Sequence, residues 1–121
     1  MLYSHRKNKR NKFKNDSSRY FFLLQMINNY LERQIKENFP YQPTPEQEIA
    51  IKSLSDFLLA PRSETVFLLR GYAGTGKTSL VGALVRTLDK LQQKSVLLAP
   101  TGRAAKVFSA YAGHPAFTIH K

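Results

Sequence analysis

The residues best equipped for chemistry form one run of eight, Gly71-Tyr72-Ala73-Gly74-Thr75-Gly76-Lys77-Thr78. The run satisfies every fixed position of the phosphate-binding pattern G-x-x-x-x-G-K-[ST]. Gly71, Gly74 and Gly76 permit backbone torsions that a side chain disfavours, so successive N–H groups can turn inward on one anion. A helix beginning near Lys77 adds the positive end of its dipole at the same point. Lys77 is a mobile positive charge for the β- and γ-phosphates of a nucleotide, which makes it the candidate catalytic residue. The Thr78 hydroxyl is the expected protein ligand to Mg²⁺. ATP and Mg²⁺ are thus the expected cofactors, with Gly71, Ala73, Gly74, Thr75, Gly76, Lys77, Thr78 and Ser79 around the phosphates.

The expected setting of such a loop is between a strand and a helix. Thr65-Val66-Phe67-Leu68-Leu69 reads as a buried strand at about 64–70. The helix that follows, at about 77–92, turns Leu80, Val81, Leu84, Val85, Leu88 and Leu91 inward. Ser95-Val96-Leu97-Leu98-Ala99 is a second continuous apolar run, as in a parallel sheet buried on both faces. A short helix from about Arg103 to Tyr111 follows Pro100-Thr101-Gly102, and Gly113-His114-Pro115 breaks it. The spacing therefore predicts an α/β domain.

Upstream, Thr44-Pro45-Glu46-Gln47 has the signature of a capped helix start: Thr44 as N-cap, Pro45 at the first helical position, Gln47 where a capping box wants Glu or Gln. Ala50, Ile51, Leu54, Phe57 and Leu58 form the expected buried face, and Ala60-Pro61-Arg62-Ser63 ends the helix. Before it, residues 17–40 carry a helical stripe of Tyr20, Leu23, Leu24, Ile27, Tyr30, Leu31 and Ile35, closed by Pro40, and Tyr41-Gln42-Pro43 is a linker. Residues 1–16 read as a disordered basic arm.

The chain of 121 residues suffices for one small domain. It contains no cysteine, which excludes disulfides and Cys-based zinc sites, and suits the reducing cytoplasm. No apolar run approaches the length of a membrane span. The formal charge is +11; residues 1–16 hold six Lys/Arg and one Asp, and residues 17–121 hold thirteen Lys/Arg and seven Asp/Glu. The excess is spread along the chain, and its natural counterpart is a polyanion, nucleic acid first.

Three features now stand together: Thr44-Pro45-Glu46-Gln47, the phosphate loop, and Ala99-Pro100-Thr101-Gly102-Arg103-Ala104-Ala105 followed by Thr118-Ile119-His120. Over residues 41–121 this combination resembles the first motor domain of RecD-like DNA helicases, superfamily 1, of the branch that moves 5′ to 3′. The resemblance implies a RecA-like P-loop NTPase fold, truncated here, and ATP hydrolysis coupled to translocation on single-stranded DNA. It implies that the amide of Gln47 reads the adenine edge, a role compatible with helix capping. It also implies that Pro100, Thr101, Gly102 and Arg103 contact the DNA backbone, with Thr118 and His120 as a later DNA contact. Arg103 in a surface ion pair, and a structural His120, are the plain alternatives.

A helicase of this kind also needs an Asp-Glu pair for Mg²⁺ and the attacking water, and arginines from a second motor domain. No Asp-Glu dipeptide occurs, and Asp89 alone among the acids follows the loop. We therefore expect the N-terminal part of a longer helicase, which binds nucleotide without efficient turnover and whose partners are DNA and the second motor domain. The missing strands should leave the two apolar runs either paired directly or with exposed edges. Two other readings share the loop: a different P-loop ATPase, such as a helicase loader or a kinase, and a basic nucleic-acid-binding module with a vestigial pocket.

Overall fold

The computed structural model describes residues 2–60 and 63–120, with side chains from Asp16 onward. The elements are α1 (Leu2–Glu37), α2 (Pro45–Leu59), α3 (Lys77–Lys90), β1 (Leu97–Ala99), α4 (Gly102–Ala112) and β2 (Ala116–Thr118). The side chains of the basic arm, and the Pro61-Arg62 pair read as the end of α2, lie outside the described residues.

Helix α1 takes in the backbone of residues 2–16, where an arm without structure is expected. No Pro or Gly interrupts the sequence before Pro40, so a helix held by packing further on can propagate back along it. Its predicted apolar stripe is buried only in its second half. Leu31 and Ile35 are in the core, whereas Tyr20, Leu23, Ile27 and Tyr30 are exposed. Length explains the difference: 36 residues of helix run about 54 Å, and the 15 residues of α2 about 22 Å, so α1 outreaches its partner.

Helix α2 begins as predicted. Thr44 is the N-cap, its hydroxyl accepts from the Gln47 N–H, and the Gln47 side chain accepts from the Thr44 N–H. Its buried face is rotated from the predicted one. Gln47, Ile51, Leu54 and Ser55 are buried and Leu58 is exposed, because the helix must face both α1 and the loop before α3.

Helix α3 is the central element. One side joins Leu80 and Ala83 to Leu31, Ile35, Phe39, Ile51 and Leu54. The other joins Val85 to Leu97 and Ala112, with Val81, Phe108 and Ala116 beside them. Polar groups lock it in place. The buried Thr87 hydroxyl donates to the Ala83 or Gln34 carbonyl (2.8 and 3.3 Å) and accepts from Asn38 Nδ2 at 3.1 Å. The Arg86 guanidinium donates to the Asn38 carbonyl at 2.7 Å and to the Tyr111 carbonyl, joining the ends of α1 and α4. Gly82 lets α4 approach: a Cβ there would meet the Tyr111 carbonyl oxygen at 3.0 Å.

β1 and β2 pair in parallel through the α4 crossover, Leu97 opposite Ala116, Leu98 opposite Phe117 and Ala99 opposite Thr118. The Ile119 N–H extends the ladder to the Ala99 carbonyl at 2.9 Å. The expected strand before the phosphate loop does not form. Residues 65–70 join no ladder among the described residues, and the apolar run at 95–99 is paired only from Leu97, with a partner strand at Ala116–Thr118 for which the sequence pattern predicts no element. The two apolar runs do not pair with each other, so the direct pairing does not occur; β1 bonds only to β2 among the described residues. Residues 66–69 still alternate like a strand, Phe67 and Leu69 against the core and Val66 and Leu68 outward. The expectation of burial on both faces is likewise not met. Helices cover one face of β1 and β2, while Leu98 and Phe117, side by side in register, are 51% and 59% exposed on the other.

Adjacent exposed apolar strands favour association. The double substitution Leu98→Thr, Phe117→Thr introduces β-branched strand formers and removes the apolar pair. It should lower concentration-dependent self-association in light scattering while leaving the far-UV circular dichroism unchanged.

Candidate nucleotide-binding site

The loop between Leu69 and Lys77 is held by its own carbonyls. The Tyr72 carbonyl accepts from the Thr75 N–H at 3.3 Å and from the Thr75 hydroxyl at 2.6 Å. Lys77 Nζ folds back to donate to the Tyr72 carbonyl at 2.7 Å and to the Gly71 carbonyl. The ammonium therefore sits over the concave side of the loop, where a phosphate would compete with neutral carbonyls for it.

Two glycines have left-handed torsions, Gly74 with φ 81° and Gly76 with φ 82°. Gly74 has open space where a Cβ would go. Gly76 does not: its Cβ would lie 2.1 Å from Gln47 Nε2 and 3.0 Å from the Tyr41 hydroxyl. Gly76 is also the N-cap of α3, with no side chain to take the first-turn N–H groups, whereas Thr44 and Thr101 cap α2 and α4. The N–H groups of that turn and the helix dipole thus converge beside Lys77 and Thr78, the arrangement that binds phosphate oxygens.

Gln47 lies beneath this loop and is 7% exposed. Its Oε1 accepts from the Thr44 N–H at 2.9 Å, and its Nε2 donates to the Thr75 carbonyl at 3.4 Å. The amide ties the start of α2 to the loop, and in this arrangement it faces the protein at both ends. Sequence reasoning passed over Tyr41, which it left in a linker. Its hydroxyl receives hydrogen bonds from Ser79 and then Gln47, which hold the phenol below its usual pKa. The signal available was an aromatic residue six positions before Gln47, too common a feature to single out.

Two hollows flank the loop. One, of about 260 Å³, lies between α2 and the loop, against Gln47, Ala50, Leu69 and Leu80. The other, of about 640 Å³, has Ala73, Gly74 and residues 76–79 on one side, with Tyr41, Val107 and Tyr111. Its size is in the range of small-molecule sites. Lys77, Thr78 and Ser79 share it, so the residues present fit a nucleotide triphosphate. Among the described residues there is no group of three or more His, Cys, Asp or Glu to hold a metal. Thr78 is the predicted ligand that faces the phosphate side, and phosphate oxygens and water complete Mg²⁺ shells in sites of this type.

The remaining predicted residues form a second locus. Ala99 and Thr118 are in register, so Pro100, Thr101, Gly102 and Arg103 emerge beside Ile119 and His120 at the carboxyl ends of β1 and β2. Pro100, Thr101, Gly102, Arg103 and His120 are exposed. The Thr101 hydroxyl accepts from the Ala104 N–H at 3.1 Å as the cap of α4, and the Thr118 hydroxyl donates to the His120 carbonyl at 2.6 Å.

A glycine loop with left-handed torsions, a helix start and an inward lysine define a P-loop nucleotide-binding domain. The chain belongs to the AAA-domain family, whose model matches residues 43–121, about two thirds of its length. Members of that family are nucleotide-binding ATPases that generally use ATP and Mg²⁺. No solved structure matches the chain significantly. Among the described residues, no helix is long and apolar enough to cross a membrane.

The two left-handed glycines should respond differently to substitution. Gly74→Ala meets no atom, so it loses only the left-handed backbone preference, about 1 kcal/mol. Gly76→Ala also displaces the end of the Gln47 side chain from the Thr75 carbonyl and should cost more, about 2 kcal/mol. Urea unfolding of both variants checks the order.

Proposed function

We propose that this chain is the ATP-binding part of a RecD-like ATP-dependent DNA helicase, in which a RecA-like domain couples ATP hydrolysis to movement along single-stranded DNA. The observation that carries this reading is the pairing, within one chain, of a complete phosphate loop with a second exposed locus at the carboxyl ends of β1 and β2. In open α/β sheets ligands bind at those ends. The capped N-terminus of α4, with Arg103 in its first turn, suits a backbone phosphate, and the net charge of +11 favours a polyanion.

In this reading Lys77 neutralises the β- and γ-phosphates, Thr78 holds Mg²⁺, and the first-turn N–H groups of α3 fix the phosphate oxygens. A bound nucleotide supplies the phosphoryl group whose transfer to water drives movement. The chain's own residues orient that group and screen its charge. Pro100, Thr101, Gly102, Arg103, Thr118 and His120 face the DNA backbone. Efficient turnover requires an acidic pair to hold the attacking water and arginines from a second motor domain. No Asp-Glu pair is present in the 121 residues, so this chain holds nucleotide with negligible hydrolysis.

Titration with a fluorescent non-hydrolysable ATP analogue and Mg²⁺ should give saturable binding, at least tenfold weaker in Lys77→Ala. Equal binding by both proteins would sink the assignment of the loop. For DNA, anisotropy of a labelled single strand should show affinity falling steeply with salt. Arg103→Ala should reduce the log–log slope by about 0.7, the contribution of one phosphate on a single strand. A slope unchanged by Arg103→Ala and Thr101→Ala together would remove the DNA-backbone role from this locus.

A further inference from the structure

The cleft in front of the phosphate loop has an aromatic residue whose position nothing in the phosphate chemistry requires. Tyr41 lies two residues before the stretch matched by the family model. It is held on two sides. Its ring meets the ring of the buried Phe39 edge-on, with centroids 5.3 Å apart and planes at 83°. Its hydroxyl lies over Gly76, at 3.0 Å from the place of a Cβ, beside the Gln47 amide that fills the same space. The ring is nonetheless 49% exposed, and it lines the cleft that contains Lys77, Thr78 and Ser79.

Resting on the nucleotide-binding reading of the loop, we propose that Tyr41 is the shelf on which the nucleobase stacks, and that Gln47 serves as the strut that positions it. A ring fixed at edge and hydroxyl loses little freedom when a planar ligand covers its face. Stacking uses a π-face that every base has, so it tolerates different bases. Reading a base edge instead needs a free donor and acceptor. The Gln47 amide has its oxygen on the Thr44 N–H and its nitrogen directed at the Thr75 carbonyl. The site should therefore discriminate little between purines: adenine and guanine nucleotides bind within about threefold of each other.

The test separates base from phosphate by using three probes with Mg²⁺ on the full chain: a non-hydrolysable ATP analogue, its GTP counterpart, and inorganic tripolyphosphate. Tyr41→Ala should weaken both nucleotides about tenfold and leave tripolyphosphate within twofold. Tyr41→Phe keeps the ring and should retain nucleotide affinity within about threefold. Lys77→Ala should weaken all three probes. If Tyr41→Ala weakens tripolyphosphate as much as the nucleotides, Tyr41 merely supports the loop and the shelf is wrong. If Tyr41→Ala leaves nucleotide affinity unchanged, or ATP is preferred to GTP by a hundredfold, the shelf is likewise wrong. If Lys77→Ala leaves the three affinities intact, or the parent chain binds none of the probes, the underlying reading of the loop falls first. Far-UV circular dichroism identifies a variant that has lost its fold, and Tyr41→Leu, which keeps apolar bulk against Phe39, then replaces Tyr41→Ala.

Discussion

The close packing of Gln47 on Gly76 is the constraint from which the site follows. The backbone turns through φ 82° at Gly76 to start α3, and the Gln47 amide occupies the space that any side chain there would need. That one contact joins the cap of α2 to the floor of the phosphate loop. It also sets the Tyr41 hydroxyl beside the Gln47 amide, over the same glycine. The glycine is thus required twice, for its torsion and for its lack of bulk. The same amide closes a capping box and braces a ligand loop, so a local helix signal and a long-range contact are one set of atoms.

Helix α3 carries the second constraint. It must present its N-terminus to the cleft and still be covered on both flanks, since Leu80 and Ala83 face one core cluster and Val85 the other. Polar side chains secure it where the apolar contacts end. Arg86 and Thr87 reach carbonyls on α1 and α4, and the imidazole of His114 sits 3.0 Å from the Asp89 carboxylate, tying the end of α3 to the turn before β2. A hydrogen bond exchanged with water adds little net stability, so these exposed and half-buried bonds set the position of α3 more than they stabilise it.

The parallel pair shows how an α/β unit behaves when one face is uncovered. The α4 crossover satisfies β1 and β2 with each other, and their inner side chains meet α3 and α4. The outer side chains, Leu98 and Phe117, have the composition of a doubly covered sheet without the second layer. Residues 65–70 keep the side-chain alternation of a strand without a neighbour to bond to. Pairing requires a second chain segment at the correct distance, which no local pattern can supply.

Much of the local structure was legible from residue types. Thr44, Pro45 and Gln47 specified the start of α2, because capping is settled within one turn, and the eight-residue loop specified its own glycine torsions and the beginning of α3. The side-by-side placement of Pro100–Arg103 with Thr118–His120 was not legible: it arises from a parallel register that joins residues nineteen apart. Tertiary structure also decided which half of the α1 stripe is buried, since that depends on the length of α2. It turned Gln47 inward and set Tyr41 at the cleft, since both depend on where α2 crosses the loop. Short-range rules act through the backbone and a few neighbours, and were sufficient for caps, turns and helix starts. Which apolar surface is covered, and what a buried amide bonds to, depends on segments distant in sequence, and only the packed chain determines it.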